Sequence, residues 1–107
     1  PQDNRFVGDS NALDSIWSRG HRSPQGLDIN PFNGDLWSTE MCPRGGDELN
    51  LIEPANNCCW PLHSPSLNYN GTEVNYGRDE LELFRVEDIE LPKIDFTPSP
   101  AVSSVVF

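Results

Sequence analysis

The chain has 107 residues, with 7 Lys and Arg against 17 Asp and Glu, a formal charge of -10, and 36% hydrophobic side chains. That length holds one small domain at most, and no run of about 20 apolar residues is present to cross a bilayer as a helix. So acidic a surface repels phosphate backbones, which argues against nucleic acid as a partner; it either keeps loops solvated or offers the oxygen ligands that calcium prefers.

Residues 1–12 are polar and turn-rich. "IWS", Ile16–Ser18, reads as a short strand. "GLDIN", Gly26–Asn30, alternates apolar and polar side chains as a half-buried strand does. "NPFNGD" follows with Asn-Gly at its tip, and "LWSTE", Leu36–Glu40, alternates again. Two alternating runs around Asn-Gly predict a hairpin, because that pair tolerates the positive φ of a tight turn. "ELNLIE", Glu48–Glu53, is a third strand at period two, broken by Pro54. The three form an antiparallel meander.

From Leu62 to Asn75 the chain reads as loop, with a turn at Tyr69–Thr72. The acidic stretch Arg78–Leu91 is compatible with a short helix or an edge strand. "KIDF" and the terminal "AVSSVVF" read as the first strands of another sheet. Short, evenly spaced strands with Gly and Pro turns mark an all-β sandwich, barrel or propeller. The first residue is Pro1, and the last seven are apolar and β-branched with no turn after them, so the expectation is an internal piece of a longer protein, residues 1–107 being part of one domain.

The three cysteines, Cys42, Cys58 and Cys59, lie within Met41–Pro61. One lone cysteine and one adjacent pair do not match the C-x2-C spacing of zinc sites. No base or polarising group beside them marks a thiol nucleophile.

"SRGHRSPQGLDINPFNGDLWSTEMCPRGGDELNLIEPANNCCWP" resembles the soluble, quinone-dependent aldose sugar dehydrogenases, through "GHR", "PQGL", "LW", "PRGGDELNLI" and the closing "WP" in order. Members of that family are six-bladed β-propellers that carry pyrroloquinoline quinone (PQQ) and calcium. The resemblance runs over residues 3 to 107 and implies an all-β fold of about two blades. It implies oxidation of the anomeric hydroxyl of an aldose to a lactone, transfer of electrons to an external acceptor, and a periplasmic or secreted location. The catalytic base and several basic cofactor ligands would lie on other blades, so that His21 is structural and no catalytic residue falls within the chain. A non-catalytic propeller acting as a binding module is the alternative.

Site residues follow from the same resemblance. Arg22, Ser23, Gln25 and Tyr69 would contact the quinone, a tricarboxylate that a guanidinium pairs with through two parallel hydrogen bonds. The main-chain carbonyls of Cys42 and Pro43 would hold the cofactor's calcium, and the Glu48 carboxylate with the Cys58 carbonyl a structural calcium. Ser23 stands where the family has asparagine, Met41 where it has histidine, Cys42 glycine, Cys58 tyrosine and Cys59 glycine. An exported protein permits a disulfide from Cys42 to Cys58 or Cys59; three unpaired substitutions are the other reading.

Overall fold

A computed structural model describes residues 2–61, 64–74 and 89–107. Four strands form one antiparallel sheet in sequence order: β1 (Pro24–Ile29), β2 (Leu36–Glu40), β3 (Asp47–Ile52) and β4 (Ile94–Phe96). β1 and β2 pair through Leu27 with Ser38 and Ile29 with Leu36; β2 and β3 pair through Leu36 with Ile52 and Glu40 with Glu48. Such a meander of four strands is the unit of a propeller blade.

The three predicted strands of the meander are present, and the second has the predicted bounds. The hairpin between β1 and β2 is closed by Asn30 and Asp35: the Asn30 N–H donates to the Asp35 carbonyl at 2.8 Å, and the Gly34 N–H donates to the Asn30 carbonyl at 2.8 Å. In this turn Gly34 has a positive φ of 81°, while the Asn30 side chain accepts the Phe32 N–H.

Three expectations need correction. Ile16–Ser18 forms no strand; its backbone is held instead by the Ala55 N–H donating to the Trp17 carbonyl at 2.7 Å. "KIDF" does not open another sheet, since Ile94–Phe96 completes this one by pairing with β3 through Ile94 and Leu49. "AVSSVVF" makes no ladder either. Carboxylates take up its N–H groups: Val102 donates to Asp47 Oδ2 at 3.2 Å and Phe107 to Asp28 Oδ2 at 2.9 Å. β-Branched composition gave this segment strand character, but side-chain acceptors replaced a neighbouring strand. The acidic stretch Arg78–Leu91 lies almost wholly outside the described residues.

The two faces of the sheet differ. Alternation puts Leu27, Leu36, Ser38, Glu40, Glu48, Asn50 and Ile52 on one face. The other face carries Asp28, Trp37, Thr39, Asp47 and Leu49, and the terminal segment crosses it. Trp37 meets Phe107 there, ring centroids 6.3 Å apart. Gly26 admits that crossing, because a Cβ at this position would lie 2.5 Å from Ser104 Cα and 2.6 Å from Val105 N.

Buried side chains are mainly polar: Ser38, Thr39, Glu40, Asp47, Glu48, Asn50 and Asn57 are buried, against the apolar or sulfur-bearing Cys42, Ile52, Cys58, Cys59 and Val74. Leu27, Ile29 and Phe32 are exposed. The sheet therefore carries its polar groups inside and leaves much of its apolar surface uncovered, the reverse of what a free-standing small domain does.

Candidate functional site

Glu40 closes β2 and is 1% exposed. It faces inward because Leu36, Ser38 and Glu40 share one side of the strand. Register sets it opposite Glu48 on β3. Two carboxylates directly opposite repel, and Asn50 offsets this by donating Nδ2 to Glu40 Oε1 at 3.2 Å and to Glu48 Oε2 at 3.1 Å. The Arg22 N–H donates to Glu40 Oε2 at 2.9 Å.

His21 completes the charge balance. Its Nδ1 lies 2.5 Å from Glu40 Oε1 and its Nε2 2.8 Å from Ser18 Oγ. A hydrogen bond with Cys58, then the one with Glu40, raises the His21 imidazole from its ordinary value to about 10, against the opposing effect of burial. Cys58 reaches His21 because residues 17–20 run beside 55–60: Arg19 N–H donates to the Asn56 carbonyl, Cys58 N–H to the Arg19 carbonyl and Trp60 N–H to the Gly20 carbonyl, at 3.0, 2.9 and 2.9 Å. Gly20 permits this approach with a φ of 75°; a Cβ there would lie 2.5 Å from Cys59 N.

Beyond Glu40 the chain turns through Met41–Gly46. Burial, and then the charge of Glu48, push the Cys42 thiol up to about 12. Burial also raises Glu48, helped by the Glu40 charge and opposed by Asn50. Burial acts to raise Asp47 too, but there it loses. Ser99 Oγ donates at 2.6 Å, the Cys42 N–H at 3.1 Å and the Val102 N–H at 3.2 Å, and together they hold this carboxyl below its usual range.

The residues expected to meet a quinone are distributed as follows. The Arg22 guanidinium is half-buried, donates Nη1 to the Met41 carbonyl at 2.8 Å and lies over the Trp60 ring, 5.3 Å from its centroid. A guanidinium has five N–H donors, so this leaves others for a carboxylate. Gln25 is exposed and turned back, its Nε2 donating to Ser23 Oγ at 2.9 Å. Tyr69 is exposed in the turn after Leu67.

Of the expected calcium ligands, Cys42 and Glu48 are brought together, while the Cys58 sulfur belongs with His21 and Glu40. The carbonyls of Cys42, Pro43 and Cys58 accept no hydrogen bond from the described residues. Main-chain carbonyl oxygens and carboxylates are the ligand types that calcium takes. All three cysteines are free. Cys59 has a φ of 72°, the left-handed region that glycine adopts freely.

Sequence reasoning missed Glu40 and Asn50, which organise the site. The available signal was polar residues at the inward positions of alternating strands, Ser38 and Glu40 in β2 and Glu48 and Asn50 in β3. It also missed a cavity of about 460 Å³ on the same face, lined by Trp17, Ser18, His21, Leu27, Ser38 and Ile52 among others. Trp17 Nε1 and Ser38 Oγ have no hydrogen-bond partner among the described residues.

A protein-family model described as "Glucose / Sorbosone dehydrogenase" matches residues 1–107. The aldose sugar dehydrogenase YliI of Escherichia coli (strain K12) is 40% identical over 107 residues, covering 100% of this chain and 28% of that protein. Quinoprotein glucose dehydrogenase B of Acinetobacter calcoaceticus is 44% identical over 62 residues, 57% of this chain and 12% of that protein. Among solved structures, the apo-form of the soluble aldose sugar dehydrogenase from Escherichia coli superposes with a TM-score of 0.81 at 39% identity, over 97% of this chain and 29% of that one. A glucose dehydrogenase superposes at 0.82 and 41% identity, over 96% and 29%. The chain thus spans less than a third of the length of these relatives.

Proposed function

Because the chain belongs to the glucose/sorbosone dehydrogenase family, we propose that it forms the calcium- and quinone-contacting part of a PQQ-dependent aldose sugar dehydrogenase. The observation that carries this reading is the buried Glu48 carboxylate beside Cys42, in a loop where the carbonyls of Cys42 and Pro43 have no donor among the described residues. The described residues offer that carboxylate an amide, from Asn50, and a thiol, from Cys42. A divalent cation would neutralise its buried charge.

The carbonyls of Cys42 and Pro43 would hold calcium at the cofactor, and Glu48 with the Cys58 carbonyl a structural calcium. PQQ, when bound, supplies a two-electron oxidant. Arg22 would bind a carboxylate of that cofactor through its remaining N–H donors, its plane fixed by Trp60 and the Met41 carbonyl. Ser23, Gln25 and Tyr69 would complete the polar lining, Gln25 after turning away from Ser23. The general base and further basic ligands would come from outside these 107 residues. The substrate would be an aldose, oxidised at the anomeric hydroxyl to a lactone, with an external acceptor and a periplasmic or secreted setting.

Reduction of an electron-accepting dye by the complete polypeptide, reconstituted with PQQ and calcium and supplied with a panel of aldoses, tests the reading. Sugar-dependent reduction is expected. Absence of turnover with every aldose would sink the reading, and absence of tight PQQ binding as well would favour the binding-module alternative, which the side chains at Met41, Cys42, Ser23, Cys58 and Cys59 recommend.

A further inference from the structure

We infer that His21, Glu40 and Cys58 form a site for a zinc-type divalent transition-metal ion, ligated by an imidazole nitrogen, a carboxylate oxygen and a thiolate sulfur. The three ligand atoms all lie within 4.8 Å of one another. They come from three separate stretches of chain, which the pairing of Arg19 with Asn57 and the end of β2 bring to one point. Glu40 and Cys58 are buried and His21 is half-buried, so an ion there would be largely withdrawn from water.

The surroundings orient the ligands as a metal site requires. A ligating histidine donates its second ring N–H to a fixed acceptor. With Nδ1 facing Glu40, Nε2–H has Ser18 Oγ at 2.8 Å. Glu40 is itself held by the Arg22 N–H and by Asn50 Nδ2. In the metal-free protein a proton occupies the 2.5 Å gap between Nδ1 and Oε1. The ion replaces that proton and the Cys58 thiol proton, both released to solvent, while the two atoms separate by about 1 Å to reach tetrahedral spacing.

The donor set selects the ion. Nitrogen and thiolate sulfur suit zinc and its first-row neighbours, whereas calcium and magnesium take oxygen. Three protein ligands leave the fourth position to water or a small anion. This site is separate from the calcium proposed above, which would use the Cys58 carbonyl and Glu48 rather than the sulfur and Glu40. Counting cysteine spacings could not reveal it, because only one ligand is a cysteine.

The test uses Co(II) as the probe, titrated into the metal-free complete polypeptide with calcium in excess. One cobalt is expected to bind with a thiolate-to-cobalt charge-transfer band and to be displaced by one equivalent of zinc. Cys58→Ser removes the band, Cys42→Ser retains it, and Glu40→Gln weakens cobalt binding by about tenfold or more. Bound cobalt without a thiolate band, a band lost with Cys42→Ser instead, or displacement by calcium would each overturn the proposal. On the unaltered protein, zinc should protect Cys58 from alkylation relative to chelator-treated protein, read by mass spectrometry; equal labelling would also overturn it. None of these readouts depends on quinone or sugar.

Discussion

Glu40 carries more of the site than any residue the motifs singled out. It accepts the Arg22 N–H and Asn50 Nδ2 and pairs with His21 Nδ1. Removing one partner of a buried pair strands the other, so Glu40→Gln should lower stability by about 3 kcal/mol, read from urea unfolding of the complete polypeptide. The pH dependence has a definite sign. His21 in the folded chain titrates at about 10, above its ordinary 6.5. Its contribution to stability is therefore full below 6.5 and fades as pH rises through about 10. Glu40→Gln should flatten the fall in stability over that interval; an unchanged profile would show that the pair does not couple to folding. The sequence read His21 as structural and did not reveal its partner. A glutamate at a strand end reads as solvent-facing until the register sets it against Glu48 and Asn50.

At the scale of elements, the alternation in Gly26–Asn30, Leu36–Glu40 and Glu48–Glu53 predicted β1, β2 and β3, because the local pattern and the tertiary one agree there. The terminal segment was misread because strand-like composition does not say whether N–H groups meet a neighbouring strand or a carboxylate. Asp28 and Asp47 supply the latter. Ile94–Phe96 was misassigned for a related reason: strand character says nothing about which sheet a segment joins after the long connection from β3. The crossing over β1 gives a specific test. Gly26→Ala introduces a Cβ 2.5 Å from Ser104 Cα, backbone that cannot rotate away. The substitution should cost about 1–3 kcal/mol and loosen the terminal segment, seen as faster amide exchange at Val102 and Phe107. Wild-type exchange at both amides would argue that the crossing is not tight.

For the molecule as a whole, the all-β sheet belongs to a propeller, and its blades bury their faces on one another. The buried set is largely polar while Leu27, Ile29 and Phe32 are open, so the 107 residues alone should melt broadly or aggregate. A sharp cooperative melt of the monomeric chain would contradict that expectation. The fold and the family were legible because "PRGGDELNLI" and its neighbours lie in order along the chain. Convergence of His21, Glu40 and Cys58 was not, since it arises from pairing between segments remote in sequence. The central claim is that the Cys42–Pro43 carbonyls hold the calcium of a quinone site, with Glu48 on a separate structural calcium. Titration of the complete polypeptide with PQQ, with calcium and after its chelation, tests it most directly. Tight binding that needs calcium is the expected result; PQQ binding that is absent, or indifferent to calcium, would contradict it.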